Sequence, residues 1–237
     1  MKKCELICST FSQCDLTNGK SACTYIALAG VQILLPHINT SSSSSYSSSS
    51  LSNINITPDI ISRCLFEGAE KYQLYHDNNG NGGVEHTSPE EVLPFYDNTI
   101  EWVDNKVEQG MLGLNNNLDG NPIGLLPLLS KVQQYHHYDN GYCAIVITKP
   151  PETIVTFLPP LSNSTNKNDN NDNAYYILFD SHSRPNIVDG GGAYMKIHNT
   201  IIDLIKSIED VFPAVDLNDD GLNMIYNSFD LYLLRCK

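Results

Sequence analysis

The apolar pattern of this sequence changes from helical to β-strand spacing near residue 142. Upstream, helices are predicted at residues 22–35, which Ser21 can cap, and at residues 57–75, with another start at Ser88 and short helices between residues 91 and 138. Downstream, strands are predicted at residues 142–148, 153–158, 174–182, 193–198 and 228–234, and one helix at residues 200–211. This order indicates an α+β fold in which N-terminal helices pack on a C-terminal antiparallel sheet.

Two low-complexity stretches interrupt this pattern. A serine tract occupies about residues 40–53, and an Asn/Asp-rich run occupies about residues 162–173. Such segments bury too little apolar surface to offset the entropy of ordering them, so both are predicted to be surface loops inserted into the fold. Without them about 200 residues remain, which suits one domain spanning residues 1–237.

The charge balance disfavours two classes of partner. The chain has 14 basic and 27 acidic residues, a formal net charge of −13, and an acid-rich surface repels phosphate backbones and anionic lipid. We find no apolar run of about 18 residues and no secretory signal, so we expect an intracellular protein, in the cytoplasm or the nucleus, that does not bind a membrane. We also expect a monomer that does not bind nucleic acid. Its seven unevenly spaced cysteines are expected to be free thiols.

Cys23 is the cysteine whose predicted setting suits a nucleophile. It lies in the first turn of the predicted helix at residues 22–35, where unsatisfied backbone N–H groups and the helix dipole favour a thiolate. The small residues Gly19, Ser21 and Ala22 precede it and leave room for a substrate backbone. A small buried residue is the alternative interpretation, since most intracellular cysteines are no more than that.

Asp180 and His182 form the second candidate motif. If both lie on the predicted strand, their side chains project from the same face, so Asp180 can orient the imidazole while the other ring nitrogen faces a thiol. The alternative is a strand that ends in a polar turn, because Ser183 and Arg184 follow at once.

Gln13 is the third candidate and lies ten residues before Cys23. The amide of a glutamine side chain can join the Cys23 backbone N–H in stabilising an oxyanion. The value of Gln13 as a signal is the order of the residues: glutamine, then a cysteine at a helix start, then a histidine much later in the chain.

That order resembles the papain-like cysteine peptidases. The finer similarity is to the deubiquitinating peptidase at the N-terminus of herpesvirus large tegument proteins, carried by residues 21–28 around Cys23, by residues 179–184 around His182 and, more weakly, by residues 190–194. The resemblance implies that Cys23, His182, Asp180 and Gln13 are catalytic and that the substrate is ubiquitin joined through an isopeptide bond. Most papain-like enzymes place the orienting residue after the histidine, which keeps Asn186 and Asp189 as alternatives to Asp180.

Charge suggests how such a substrate is held. On charge alone, five acidic side chains are candidate contacts for the arginines of the ubiquitin tail, namely Glu67, Glu70, Glu85, Glu90 and Glu91. Two other functions remain open: a catalytically silent ubiquitin-binding or scaffold domain, and a papain-like peptidase with an unrelated substrate.

No cofactor or metal is expected. Three segments resemble the start of a calcium loop, at residues 77–82, 115–120 and 216–221, but each lacks glutamate at the twelfth position. The pair Cys4 and Cys8 and the pair His136 and His137 do not have the spacing of a zinc site.

Overall fold

The computed structural model describes residues 4–17, 19–43, 54–79, 86–96, 98–113, 117–118, 121–135, 141–161 and 175–237. The helices in these ranges are α1 (Cys23–Ser43), α2 (Pro58–Asn79), α3 (Pro89–Val92), α4 (Leu125–Tyr135), α5 (Ile201–Val211) and α6 (Asp220–Asn227). The strands are β1 (Glu5–Cys8), β2 (Ile100–Met111), β3 (Asn117–Leu118), β4 (Asn121–Pro122), β5 (Cys143–Lys149), β6 (Glu152–Leu158), β7 (Tyr176–Asp180), β8 (Tyr194–His198) and β9 (Ser228–Cys236). The predicted Asn/Asp-rich loop and most of the serine tract lie outside the described residues.

The main sheet has seven strands in the order β1-β8-β7-β6-β5-β9-β2, and every neighbouring pair is antiparallel. Helices together with an antiparallel sheet confirm the predicted α+β class. The strand register places the ends of β5 and β7, at Lys149 and Asp180, beside the starts of β6 and β9, at Glu152 and Ser228. This end of the sheet, called the site end below, carries the candidate site.

Helix α1 lies between the sheet and α2. Its residues from Cys23 to Leu35 are buried except for Gln32, because one side of the helix contacts the strands and the other contacts α2. Residues of β5 alternate between two apolar clusters: Ala144 and Val146 face α1, whereas Ile145 and Ile147 face α4 and α5. The sheet therefore has one core on each face, and α1 is the central helix of the larger core.

The α1–α2 contact depends on Gly68. A Cβ atom at this position would lie 2.4 Å from the Cα of Ile26, so the two helix backbones approach too closely for any larger residue. This approach fixes the lateral position of α1 and, with it, the position of Cys23.

Five elements differ from the sequence-based expectation. β2, β3 and β4 form where short helices were predicted, and β1 and α6 were not predicted at all. β2 is an edge strand with a bulge between Trp102 and Val107, where Asp104 and Asn105 have positive φ, so the alternation expected of a strand is broken. Because β1 and β2 precede most of the strands along the chain, the sheet is not wholly C-terminal.

The predicted helix starts at Pro58 and Ser88 are confirmed. The first helix begins at Cys23 without the predicted Ser21 cap, because Ser21 belongs to the preceding 3₁₀ turn and its buried hydroxyl has no hydrogen-bond partner among the described residues. That helix is also longer than predicted. α2 begins at Pro58, and Ser88 precedes α3 in a capping box with Glu91. α1 continues to Ser43 through Pro36, although proline lacks the backbone N–H that continues a helix. None of the helices in the described ranges is long and apolar enough to cross a lipid bilayer.

We expect Gly68→Ala to lower the free energy of unfolding by about 1–3 kcal/mol, because α1 and α2 must separate to admit the methyl group. Chemical denaturation measures this, with Glu70→Ala on the exposed face of the same helix as the control. Equal stabilities of the two variants would contradict the role given to the close helix contact.

Candidate active site

Cys23 is the first residue of α1, as predicted, and is buried, with 2% of its surface exposed. Two short 3₁₀ turns, Gln13–Asp15 and Gly19–Ser21, lead the chain into the helix. The Cys23 sulfur lies 3.5 Å from the carbonyl oxygen of Pro151, in the turn between β5 and β6. The candidate nucleophile therefore lies at the start of the central helix, against the site end of the sheet.

His182 and Asp180 contact each other directly. The ring Nδ1–H of His182 donates to Asp180 Oδ1 over 2.7 Å, and the His182 backbone N–H donates to the same oxygen over 2.9 Å. The Cys23 sulfur lies close enough to the imidazole to favour its protonated form. The structure thus brings the three predicted side chains together in the order aspartate, histidine, cysteine.

The geometry that joins Asp180 to His182 differs from the prediction. The strand was expected to continue to His182, with the two side chains on one face, but β7 ends at Asp180. The carboxylate instead folds back onto the backbone two residues ahead, which is the hydrogen bond of an Asx turn. A two-residue spacing suits this turn because the same oxygen reaches both the backbone and the ring of His182.

The protonated form of His182 is strongly favoured. Burial acts against the charge, but the hydrogen bond and negative charge of Asp180, together with the Cys23 sulfur, outweigh it and raise the pKa of His182 to about 10. Burial also opposes ionisation of Asp180, yet its bonds to His182 and Arg184 hold its pKa below the usual value. At neutral pH the site therefore contains an imidazolium and a carboxylate.

Arg184 and Glu152 complete the charge network and were not predicted to belong to the site. Arg184 Nε donates to Asp180 Oδ2 over 2.9 Å, while its other nitrogens donate to Glu152 over 2.6 and 3.3 Å. Arg184 thus holds the carboxylate oxygen that His182 does not use. The arginine lies within the motif around His182, but no sequence signal links it to Glu152, which is far away along the chain.

Gln13 is buried and is attached to the histidine segment. The Ser181 hydroxyl donates to Gln13 Oε1 over 2.6 Å, and the Gln13 backbone N–H donates to the Ser181 carbonyl over 2.9 Å. With its oxygen held, the side-chain amide of Gln13 presents its two N–H donors in a fixed orientation. A Cβ at Gly19 would lie 1.8 Å from the Gln13 carbonyl oxygen, so the turn before Cys23 requires glycine there.

The alternatives to Asp180 do not occupy the orienting position. Asn186 and Asp189 are exposed in the turn after Arg184, whereas the Nδ1 atom of His182 is bonded to Asp180. The other cysteines also differ from Cys23: Cys64 is buried within α2, where burial raises its pKa far above the usual value, and Cys143 is buried in β5. None of the seven cysteines forms a disulfide.

The five acidic residues proposed to hold a substrate tail have different surroundings. Glu91 caps the Ser88 backbone N–H at 2.8 Å, and Glu90 lies on the same short helix, which follows the segment bonded to the start of α1. Glu67 is paired with Arg63 on α2, and both line a cavity of about 600 Å³ beside the C-terminal residues. Glu70 is exposed on α2, and Glu85 lies outside the described residues.

Within the described ranges no group of three or more His, Cys, Asp or Glu side chains is arranged to hold a metal ion. The described calcium-loop segment uses its acids for backbone capping: Asp216 accepts from the Asn218 N–H, and Asp219 caps α6 through the Leu222 N–H. The segments at residues 77–82 and 115–120, together with His136 and His137, fall wholly or partly outside the described residues.

A buried cysteine at a helix start that contacts a histidine held by a carboxylate is typical of thiol-dependent acyl-transfer enzymes. No protein-family model matches the sequence, and no curated protein matches it. Among solved structures, the chain is similar to a ubiquitin-specific protease encoded by a murine cytomegalovirus tegument protein, determined with a ubiquitin-based suicide substrate. The TM-score is 0.60 at 12% sequence identity, and the match covers 98% of this chain and 86% of the viral one. The chain therefore shares the fold of a viral deubiquitinase.

Protonation of His182 predicts a pH dependence of stability. Because its folded pKa is about 10 and the ordinary value is 6.5, its stabilising contribution is complete below about pH 6.5 and is lost as the pH rises through 10. We expect the free energy of unfolding to fall between pH 6.5 and 10 less steeply in His182→Gln than in the wild type. Denaturant titrations across this range test it, with His86→Gln, an exposed histidine, as control. Parallel profiles for all three proteins would contradict the pairing of a protonated His182 with Asp180.

Proposed function

We propose that this protein is a papain-like cysteine peptidase that hydrolyses the bond following the C-terminal glycine of ubiquitin. The observation that carries the proposal is the contact of Cys23 with His182, itself bonded to Asp180, in a fold shared with a viral ubiquitin-specific protease. An intracellular, reducing location is part of the proposal and agrees with seven cysteines that form no disulfide.

The reaction is acyl transfer through a thioester. The Cys23 thiolate attacks the carbonyl carbon of the terminal glycine, and the imidazolium of His182 gives its proton to the departing lysine amine. His182, now neutral, takes a proton from water, whose oxygen attacks the thioester. The thiolate leaves, the ubiquitin carboxylate is released, and the Cys23 thiolate and the His182 imidazolium are restored.

Gln13 and the backbone N–H of Cys23 stabilise the oxyanion that forms in each attack. Donors of this kind must be fixed before the charge develops, since their reorganisation would add to the barrier. The bond from Ser181 to Gln13 supplies that fixation, and it ties the oxyanion donor to the residue immediately before His182.

Asp180 sets the orientation of the imidazole, and Arg184 with Glu152 holds Asp180. A buried carboxylate with a single partner could rotate, but Oδ1 is held by His182 and Oδ2 by Arg184. The ring Nε2 atom of His182 is then left to face the sulfur.

The burial of the site supports a thin, extended substrate segment. Cys23 is 2% and His182 8% exposed, so only a chain without large side chains reaches the sulfur. A C-terminal glycine attached to a flexible tail meets this requirement. Glu90 and Glu91 are the acidic candidates to contact that tail, because they follow Thr87, whose carbonyl accepts a hydrogen bond from Thr24 beside Cys23.

Hydrolysis of a ubiquitin substrate tests the proposed activity. We expect wild-type protein to release a fluorogenic amine from the ubiquitin C-terminus and Cys23→Ala to lose this activity altogether, because no other group supplies the nucleophile. Cys14→Ala, which removes an exposed thiol ahead of α1, should retain it. Tight ubiquitin binding by a wild-type protein that releases nothing would favour the silent binding module. Neither binding nor release would favour an unrelated substrate.

Removal of the oxyanion donor tests the role of Gln13. We expect Gln13→Ala to reduce kcat by about 10²–10³-fold with a much smaller change in KM, because the donor acts on the transition state. Gln109→Ala, at an exposed position on β2, is the matched control. A loss confined to KM would show that Gln13 binds substrate and does not stabilise the oxyanion.

A further inference from the structure

An exposed apolar surface is concentrated in one short segment of the chain. Of the eleven large apolar side chains that are exposed in the described residues, six lie between residues 215 and 226. Met224, Ile225 and Tyr226 are 61, 69 and 54% exposed. We call these six side chains the α6 platform; its members are Val215, Leu217, Leu222, Met224, Ile225 and Tyr226. A patch of this kind on a soluble domain marks an interaction site.

Polar side chains hold the backbone of the platform in place. The Asn227 side chain accepts from the Val215 backbone N–H and donates to its carbonyl, both at 2.8 Å, and Asn227 itself is buried. Asn223 accepts from the Leu217 N–H at 2.8 Å, and Asp219 caps the helix. The apolar side chains point outward from this scaffold, so the surface is organised before any partner arrives.

The platform adjoins the candidate active site. Asp230 of β9 pairs with Thr148 of β5, so the Ser228 end of β9, which directly follows α6, lies beside the turn at Pro150 and Pro151. Neighbouring strands are about 4.8 Å apart, which places the end of α6 on the order of 10 Å from the turn that contacts Cys23. A molecule whose tail reaches Cys23 would place its folded part over the site end of the sheet, within reach of the platform.

Charge selects the kind of partner. Asp216, Asp219 and Asp220 are exposed around the platform, and the whole chain has a formal net charge of −13. A second copy of this chain would bring the same acidic rim against itself and be repelled. The surface therefore fits a partner with an apolar centre and lysine or arginine at its edge.

We propose that the α6 platform binds the folded body of ubiquitin while the ubiquitin tail occupies the cleft at Cys23. This inference rests on the proposed function and adds a second contact to it: the cleft selects the tail, and the platform recognises the globular part of the substrate. Binding is strengthened by the acidic rim and weakens as salt is added.

Two variants, Met224→Glu and Ile225→Glu, remove the apolar contact without changing buried residues. The matched control is Ile202→Glu on α5, an exposed isoleucine that follows β8 at the opposite end of the sheet from Asp180. Each change is made in the full chain, both with Cys23 intact for kinetics and as Cys23→Ala for titration calorimetry with ubiquitin. Thermal unfolding of every variant checks that the fold is retained.

We expect the platform variants to weaken ubiquitin binding, and to raise KM for a fluorogenic ubiquitin substrate, by about tenfold or more. Cleavage of a fluorogenic peptide of the ubiquitin tail should be unchanged, and the α5 control should match the wild type in all assays. Ubiquitin hydrolysis with equal KM in the platform variants would overturn the platform and leave the proposed function standing. Absence of ubiquitin hydrolysis by the wild type, together with no ubiquitin binding by Cys23→Ala, would overturn both. Dimerisation of the wild type that Ile225→Glu abolishes in sedimentation, with ubiquitin binding unaffected, would assign the platform to a second copy and also overturn the inference.

Discussion

The Asp180 carboxylate is fully buried at the end of β7, and its charge must be balanced where it lies. His182 occupies one oxygen and Arg184 the other, while Glu152 holds the arginine from the neighbouring strand. This chain of partners requires the end of β7 and the start of β6 to lie side by side at the site end of the sheet. The pairing of these two strands therefore also offsets the free-energy cost of burying a charged, oriented imidazole.

The packing of α1 brings the cysteine to that imidazole. A helix buried on both sides has little freedom to shift, because the sheet fixes one side and the glycine contact with α2 fixes the other. The residue at its N-terminus then has a defined position, and here that residue is Cys23. Gln13 is positioned by its hydrogen bond with Ser181, which connects it directly to the segment that carries His182.

The residues of the candidate site carry local signals in the sequence. Cys23 follows small residues at a helix start, and the two-residue spacing of Asp180 and His182 suits an Asx turn as well as a strand face. The partners Arg184 and Glu152 meet only through strand pairing, which a single sequence does not encode at short range. The structure brings the predicted residues together, while their catalytic roles stay predictions.

The same reasoning explains which elements were missed. β2 is a bulged edge strand, so neither its alternation nor its burial resembles a core strand. α6 was not predicted because its apolar residues are exposed to solvent, whereas an amphipathic helix is recognised by an apolar face that packs on a core. β2 and α6 both lie on the β9 side of the sheet, where the α6 platform adjoins the site end, whereas β1, which was also missed, pairs with β8 at the opposite side.

The central claim is that Cys23, activated by His182, reacts with the C-terminal carbonyl of ubiquitin. The most direct test is the intact mass of the protein after incubation with ubiquitin that carries a thiol-reactive group at its C-terminus. The account predicts the addition of one ubiquitin, attached through Cys23 and greatly slowed in His182→Ala. No adduct, or an adduct that persists in Cys23→Ala, would contradict it.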